Sequence, residues 1–141
     1  MIKEFKDEFA FLSNFYTDKD GFCVELHYQA MKFKDNNIIQ EILKMTPGQS
    51  KKFTHLPENK PRIRKDWGKV SLHLMESLVR YKFSKKYEKS LLLKTYNKEL
   101  IEGNYWHDNF YGHCFCDRCK TIPKFNHLGK IIMKIREEIR E

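Results

Sequence analysis

The chain has 141 residues, of which 40% are hydrophobic and 14% aromatic, and its formal net charge is +8, from 27 Lys and Arg against 19 Asp and Glu. This length predicts a single domain over residues 1–141, and the composition excludes a disordered protein. No apolar run approaches the roughly 20 residues of a membrane-spanning helix, and no signal peptide is recognisable, so we expect a cytoplasmic protein without a membrane partner. The positive charge favours an anionic partner such as a nucleotide, a sugar phosphate or a nucleic acid.

The N-terminal region predicts a short strand over residues 9–12, followed by the loop Ser13-Asn14-Phe15-Tyr16. A helix then runs from Val24 to about Lys34. The apolar residues of this helix that share one inward face are Leu26, Ala30 and Phe33.

The middle of the chain predicts a second helix from about Asn37 to Met45 and a third that starts at Thr46-Pro47, with Thr46 as N-cap. Residues 56–65 hold two prolines and predict a loop. Asp66 is expected to cap the longest helix, whose predicted apolar stripe is Trp67, Val70, Leu74, Leu78 and Tyr81.

The last third predicts a helix over about residues 86–96, an irregular or β region, and a closing helix capped by Asn126. The expected inward face of that closing helix is Leu128, Ile131, Ile132, Ile135 and Ile139. There is no β-α-β alternation and no glycine-rich nucleotide fingerprint. The fold class is therefore α+β, a predominantly helical single domain with a small β-sheet.

Glu25, Gln29 and Lys32 fall on one face of the first helix. Three polar residues in a file are ordinarily the solvated face of a helix. Here, however, Tyr28 and Met31 also lie off the Leu26 face, so the helix is apolar nearly all round, as a buried helix is. Burial of Glu25 is expected to raise its pKa toward the value that a general acid needs.

The segment Glu102–Gly112 combines two acids, two amides, a histidine and four aromatic residues between glycines. Aromatic faces beside carboxylates and amides are typical of a site that stacks a planar ring. A β-hairpin with aromatic cross-strand pairs explains the same residues equally well.

Two further segments have the same ambiguity. Arg62 and Arg64 precede a helix N-terminus, a junction suited to phosphate, and also typical of a basic surface loop. The loop 13–16 sets the Asn14 amide beside two rings, which suits a heterocycle and equally a tight turn fixed in the core.

Cys114, Cys116 and Cys119 are closely spaced, with His113 beside them and His127 further on. This spacing is compatible with zinc, but zinc sites usually show two separated ligand pairs. Reduced loop thiols are the favoured interpretation, so we assign no metal and no cofactor.

Six ordered motifs resemble the NADAR (YbiA-like) family of N-glycosidases across nearly the whole chain. The motifs, as they stand here, are Phe11-Leu12-Ser13-Asn14-Phe15-Tyr16; Glu25, Gln29 and Lys32; Thr46-Pro47-Gly48; Arg64, Asp66 and Trp67; Glu102, Gly103, Asn104, Trp106 and Asp108; and Asn126, Leu128, Gly129, Met133 and Arg136. Three features depart from the family pattern. Leu26 stands where His usually follows the helix Glu, the loop before Glu25 is shorter, and His107 stands where Gly is common.

The resemblance implies a YbiA-like fold and cleavage of the N-glycosidic bond between a ribose and a base-like amine. Two substrate classes are associated with the family. One comprises phosphoribosyl-pyrimidine intermediates of riboflavin synthesis, and the other is ADP-ribose attached to guanine, including guanine in DNA. The net charge favours the nucleic-acid substrate, so the expected partner is ADP-ribosylated DNA or a nucleotide-like small molecule.

Such hydrolysis passes through an oxocarbenium-like state, which calls for an anion near the ribose and a proton for the leaving nitrogen. We expect Glu25 to perform the acid–base step and Asp108 to stabilise the ribose. The expected substrate contacts are the stacking rings of Phe15, Tyr16 and Trp106, the amides of Asn14, Gln29 and Asn104, and the phosphate-binding cations of Lys32 and Arg64. The competing class is a non-catalytic module that binds ADP-ribose or nucleic acid, but a binding module has no need for the two acids.

Overall fold

The computed structural model describes all 141 residues and is mostly helical, with one small sheet, so the predicted α+β class is confirmed. The α-helices are α1 (Val24–Ala30), α2 (Asn36–Leu43), α3 (Pro47–His55), α4 (Trp67–Ser84), α5 (Lys86–Leu93) and α6 (His127–Ile139). The strands are β1 (Gly103–Asn104) and β2 (His113–Cys114), and 3₁₀ helices cover Asp7–Leu12, Pro57–Arg62 and Asp117–Cys119. None of these helices combines the length and apolar character that crossing a membrane requires.

Residues Asn14–Val79 form one compact unit. Within it, α1 packs against both α2 and α3. The buried apolar residues of this packing are Cys23, Leu26, Ala30, Phe33, Ile38 and Ile42. The predicted inward face of α1 is therefore confirmed, although the helix ends at Ala30 rather than near Lys34.

The start of α3 is a capping box, as the Thr46-Pro47 pair predicts. The Thr46 hydroxyl accepts a hydrogen bond from Gln49 N at 3.2 Å, and Gln49 Oε1 accepts one from Thr46 N at 3.0 Å. These two bonds satisfy backbone donors that the first turn of a helix otherwise leaves unpaired. The cap fixes where α3 begins, and thereby where its later residues lie.

Residues Met1–Ser13 and Arg80–Glu141 form the second compact unit. Its sheet pairs β1 with β2 in parallel, with Gly103 opposite His113 and Asn104 opposite Cys114. A side chain at Gly103 would bring its Cβ to 1.9 Å from Lys3 O, so only glycine permits this close backbone approach. The helix α6 buries the predicted apolar residues Leu128, Ile131, Ile132 and Ile135.

Asn126 has a different role from the predicted one. It precedes α6 with φ of 47° and makes no side-chain capping bond. Its Oδ1 accepts from Glu102 N at 3.0 Å, and its Nδ2 donates to Leu100 O at 3.0 Å. Asn126 therefore holds the backbone that leads into β1.

Three other local predictions are wrong. Residues 9–12 belong to a 3₁₀ helix rather than a strand. The hairpin alternative for residues 102–112 fails because β1 and β2 run parallel, and a hairpin is antiparallel. On α4, Tyr81 is 53% exposed whereas Lys82 is buried, with Nζ donating to Ser13 O at 2.8 Å. Hydrophobic patterning places lysine outside, so it cannot find a face that includes a buried lysine.

Candidate functional site

The helix α1 buries two polar side chains of the Asn14–Val79 unit. Glu25 is 7% exposed and Gln29 is 3% exposed. Their four-residue spacing puts them one turn apart on the same face, since an α-helix has 3.6 residues per turn. Val24, Leu26, Tyr28 and Ala30 of the same helix are buried as well. The expectation of a helix that is apolar nearly all round is confirmed.

A chain of hydrogen bonds orders these groups. The Thr54 hydroxyl of α3 donates to Gln29 Oε1 at 2.7 Å. Gln29 Nε2 donates in turn to Glu25 Oε1 at 3.1 Å. Because Thr54 occupies the oxygen end of the Gln29 amide, the nitrogen end faces the carboxylate. The second oxygen of Glu25 is not engaged by Gln29, which makes it the oxygen suited to a substrate or a water molecule.

Burial raises the pKa of Glu25 above its usual value, because removal from water disfavours the charged form. The Gln29 hydrogen bond and the positive charges of Lys51, Lys32 and His55 oppose this rise without cancelling it. Burial also lowers the pKa of Lys32, against the attraction of Glu25. The site thus holds a buried carboxyl group of raised pKa, in positive surroundings that suit an anionic ligand.

The loop before α1 lies beside this carboxyl group. Asn14 O accepts from Glu25 N at 2.9 Å, so the loop fixes the first turn of the helix. The side chain of Asn14 donates to Met75 Sδ at 3.5 Å, while its Oδ1 is buried without a hydrogen-bond partner. Phe15 is 45% exposed, and Lys51 Nζ lies 5.9 Å from its ring centroid. Tyr16 is half-buried. This loop therefore offers an acceptor without a hydrogen-bond partner and a partly exposed aromatic ring.

The two predicted phosphate-binding cations differ. Lys32 Nζ lies 5.9 Å and 6.0 Å from the ring centroids of Tyr28 and Trp67, so its ammonium group has cation–π partners. Arg64 engages Asp66 with two hydrogen bonds, from Nε at 2.6 Å and from Nη2 at 2.9 Å. The Arg64 fork lowers the pKa of Asp66 to about 2. Only Nη1 of Arg64 is left outside this pair.

Arg64 also borders a basic surface groove of about 490 Å³ in the same unit. Its four cationic residues outnumber its two acidic residues, and the charged lining is Lys34, Arg62, Arg64, Lys65, Asp35 and Asp66. A groove with this charge balance suits phosphate groups, because each contact replaces a condensed counterion.

The remaining predicted residues belong to the other unit, in the segment between β1 and β2. Asn104 is 1% exposed. Its Oδ1 accepts from the backbone N–H groups of Trp106 and Asp108 at 3.3 Å and 3.2 Å, and its Nδ2 donates to Asp108 O at 2.8 Å. Asp108 Oδ1 accepts from the N–H groups of Phe110 and Tyr111 at 3.1 Å and 3.0 Å. Both side chains therefore organise the loop, whereas Trp106 is 61% exposed and presents its ring to solvent.

The structure thus divides the predicted site residues into two groups. It brings Glu25, Gln29 and Lys32 together with Asn14 and Phe15, and it brings Asn104, Trp106 and Asp108 together in the other unit. The predicted substrate contacts of both groups, and the catalytic role of Asp108, stay predictions.

Sequence reasoning missed Thr54, Lys51 and His55 of α3. Thr54 fixes the Gln29 amide, and the positive charges of Lys51 and His55 act on Glu25. No sequence signal separates these residues from an ordinary polar helix face, because their role depends on the packing of α3 against α1.

The fold and the buried carboxyl–amide pair define a mainly helical α+β domain that holds a buried carboxyl group of raised pKa. The amino-acid sequence also matches a known protein family over nearly its whole length. The NADAR domain matches residues 2–140, and the chain belongs to this family.

Individual relatives agree with this assignment. An N-glycosidase of Nostoc punctiforme is 36% identical over 122 residues, which cover 83% of this chain and 73% of that protein. A riboflavin biosynthesis protein of Vibrio vulnificus is 31% identical over 143 residues, but the chain spans only 36% of its length. The solution structure of Escherichia coli YbiA matches with a TM-score of 0.76 at 26% identity, covering 99% of this chain and 87% of YbiA.

Proposed function

We propose that this protein is an N-glycosidase that hydrolyses the bond between a ribose and a base. The observation that carries the proposal is the buried Glu25 carboxyl group, with a raised pKa and one oxygen held by Gln29. A relative named as an N-glycosidase, aligned over most of both chains, supports the same reaction class.

The reaction breaks the bond between C1′ and the base nitrogen and forms a bond from C1′ to a water oxygen. The leaving nitrogen takes up a proton, and the attacking water loses one. Glu25 is the group that exchanges these protons, because burial raises its pKa and so favours the protonated form that a general acid needs. Gln29 keeps the carboxyl group oriented, as one fixed oxygen defines where the other lies.

The groups beside Glu25 have matching roles in substrate binding. The partly exposed ring of Phe15, with Tyr16, stacks a planar base, and Asn14 offers an acceptor to an N–H group of that base. Lys32 and Lys51 attract phosphate, and Nη1 of Arg64 extends that attraction along the basic groove.

The substrate that we propose is ADP-ribose attached to guanine in a nucleic acid. Two features support it: the net charge of +8 and the excess of cations in the groove that includes Arg64. A strand of nucleic acid supplies many phosphates for such a surface, whereas a free nucleotide needs only one local site.

Phosphoribosyl-pyrimidine intermediates of riboflavin synthesis are the second candidate. The observation that favours them is the Vibrio vulnificus relative, whose name concerns riboflavin biosynthesis and which aligns with 94% of this chain.

The test is incubation of the purified protein with an oligonucleotide carrying ADP-ribosyl-guanine and, separately, with the phosphoribosyl-pyrimidine intermediate. Mass spectrometry identifies the products. Free ADP-ribose with intact DNA is the expected result, at a rate that falls steeply as salt rises. Ribose 5-phosphate as the sole product selects the second substrate class. Binding of either substrate without cleavage contradicts the proposal and identifies a binding module.

A further inference from the structure

Four potential metal ligands meet at one point of the segment that follows β1. They are His107, Cys114, Cys116 and Cys119, whose ligand atoms all lie within 4.8 Å of one another. His107 Nδ1 lies 3.2 Å from Cys119 Sγ, 3.3 Å from Cys116 Sγ and 3.9 Å from Cys114 Sγ. A single ring nitrogen thus faces three thiols.

These separations agree with one tetrahedral ion. With Zn–S bonds of about 2.3 Å and a Zn–N bond of about 2.0 Å, tetrahedral geometry sets sulfur and nitrogen about 3.5 Å apart and two sulfurs about 3.8 Å apart. Three thiolates and one imidazole are also a ligand set that structural zinc sites use. The four groups therefore match zinc in number, and the distances from His107 Nδ1 to the three sulfurs match it in spacing.

The backbone at His107 gives independent support. His107 has φ of 72°, in the left-handed region that favours glycine. A residue with a β-carbon in that region is strained unless surrounding interactions hold it there. In this strained conformation the His107 ring points at the three thiols. Glycine would adopt the same backbone conformation more easily but would supply no ligand.

The histidines suggested by sequence proximity are engaged elsewhere. His113 stacks on Phe115 with ring centroids 4.2 Å apart, and His127 stacks on Phe125 at 5.4 Å. The fourth cysteine, Cys23, belongs to the other unit and donates to Asn14 O at 3.3 Å. The ligand set is thereby restricted to one histidine and three cysteines.

We propose that His107, Cys114, Cys116 and Cys119 bind one Zn²⁺ ion as a structural site. The protein fills all four positions, which leaves none for a substrate water and assigns the ion to folding rather than catalysis. Each thiol releases its proton to solvent as its Zn–S bond forms. The resulting complex carries one net negative charge, and the neighbouring residues Arg118, Lys120 and Lys124 offset it.

The consequence is a cross-link between two parts of the chain. His107 lies between Trp106 and Asp108, Cys114 ends β2, Cys116 precedes the following 3₁₀ helix and Cys119 is its last residue. Zinc therefore fixes the loop that carries the exposed Trp106 ring.

The first test is metal analysis of the protein purified without chelator from zinc-supplemented medium, by plasma mass spectrometry and native mass spectrometry. We expect about one zinc per chain, as for other closed zinc sites. Removal with a strong chelator should lower Tm, and Zn²⁺ but not Mg²⁺ should restore it. Protein without stoichiometric metal overturns the proposal, and so does stoichiometric iron.

The variants His107→Gly and Cys119→Ser test whether His107 and Cys119 are zinc ligands. Glycine at 107 relieves the left-handed strain, so without a metal site this variant is at least as stable as the native chain. We expect the opposite: both variants lose stoichiometric zinc, and the chelator no longer lowers their Tm. The matched control is Cys23→Ser, which removes a thiol outside the cluster and should retain one zinc. Full zinc content in both ligand variants contradicts the proposal.

Discussion

The α1 site and the segment between β1 and β2 use the same kinds of side chain for different purposes. In the first, the Gln29 amide holds one oxygen of the buried Glu25 carboxyl group. In the second, the Asn104 amide and the Asp108 carboxylate bond to backbone N–H groups of their own loop. The Gln29 amide therefore orients a carboxyl group, whereas the Asn104 amide stabilises the backbone of its own loop.

Burial adds a second difference. The pKa of Glu25 is raised because the helix around it excludes water. Asp108 is half-buried and accepts two backbone N–H groups. Residue type alone therefore does not assign function, and the partners of each polar atom do. Four experiments test this difference between the two regions.

Glu25→Gln gives the largest expected effect. The amide keeps the shape of the carboxyl group but cannot exchange a proton, so kcat should fall by about 10²- to 10⁴-fold while substrate binding persists. Turnover kinetics and calorimetric binding measure the two quantities. Glu41→Gln, an exposed residue of α2, is the matched control and should keep full activity. A near-normal rate for Glu25→Gln contradicts the proposed role.

Gln29→Leu tests the hydrogen bond to Glu25. That bond stabilises the ionised carboxylate and lowers its pKa, so its loss raises the pKa further. The inflection of the pH–rate profile assigned to Glu25 should move to higher pH, and kcat at neutral pH should fall by about ten- to hundredfold. An inflection that stays in place shows that Gln29 does not control this carboxyl group. Thr54→Val, which frees the other end of the Gln29 amide, should give a smaller shift in the same direction.

Asp108→Asn and Asn104→Ala test whether these two residues of the other unit stabilise the fold or take part in the reaction. Asn104→Ala removes the acceptor of two N–H groups and should lower the free energy of unfolding by about 1–3 kcal/mol. Asp108→Asn keeps an oxygen for Phe110 and Tyr111, so the fold should persist, while loss of the charge should lower kcat if the predicted role of Asp108 holds. Denaturant unfolding and kinetics measure both effects. The control is Asn37→Ala, at an exposed position of α2, with an expected change below about 0.5 kcal/mol. Full activity of the folded Asp108→Asn variant would contradict the predicted catalytic role and show that Asp108 only stabilises its loop.

The pH dependence of stability gives the smallest expected effect. Because the folded-state pKa of Glu25 is raised, the native chain binds more protons than the unfolded chain above the ordinary value of 4.5. The contribution of Glu25 to stability therefore falls as pH rises through the window between 4.5 and its folded pKa. Glu25→Gln removes this dependence and should be more stable at neutral pH by about 0.5–2 kcal/mol. Denaturant unfolding at several pH values tests it, and equal stability of the two proteins at neutral pH contradicts it.

Local sequence signals predicted the helices well. The starts of α1 and α3 follow from apolar spacing and from the Thr46-Pro47 cap, because both depend on residues close in sequence. The parallel pairing of β1 with β2 depends on the path of the loop between them, and the burial of Lys82 depends on the distant residue Ser13; periodicity reports neither.

The features of the candidate site also fall into two groups, those that the local sequence predicted and those that it did not. The burial of Glu25 and the direction of its pKa followed from the all-round apolar character of α1. The Thr54 contact and the loop-building role of Asn104 did not follow, since each depends on where a partner atom lies in space. His107 was visible only as a departure from the family pattern, and its three thiol neighbours appear once the chain is folded.

The most direct test of the central claim is hydrolysis of ADP-ribosyl-guanine in an oligonucleotide, run in water enriched in heavy oxygen. The native protein and Glu25→Gln are compared, and mass spectrometry follows the products. We expect free ADP-ribose with one heavy oxygen at C1′ from the native protein, and release slowed at least a hundredfold by Glu25→Gln. Equal release by both proteins would contradict the assignment of the chemistry to Glu25.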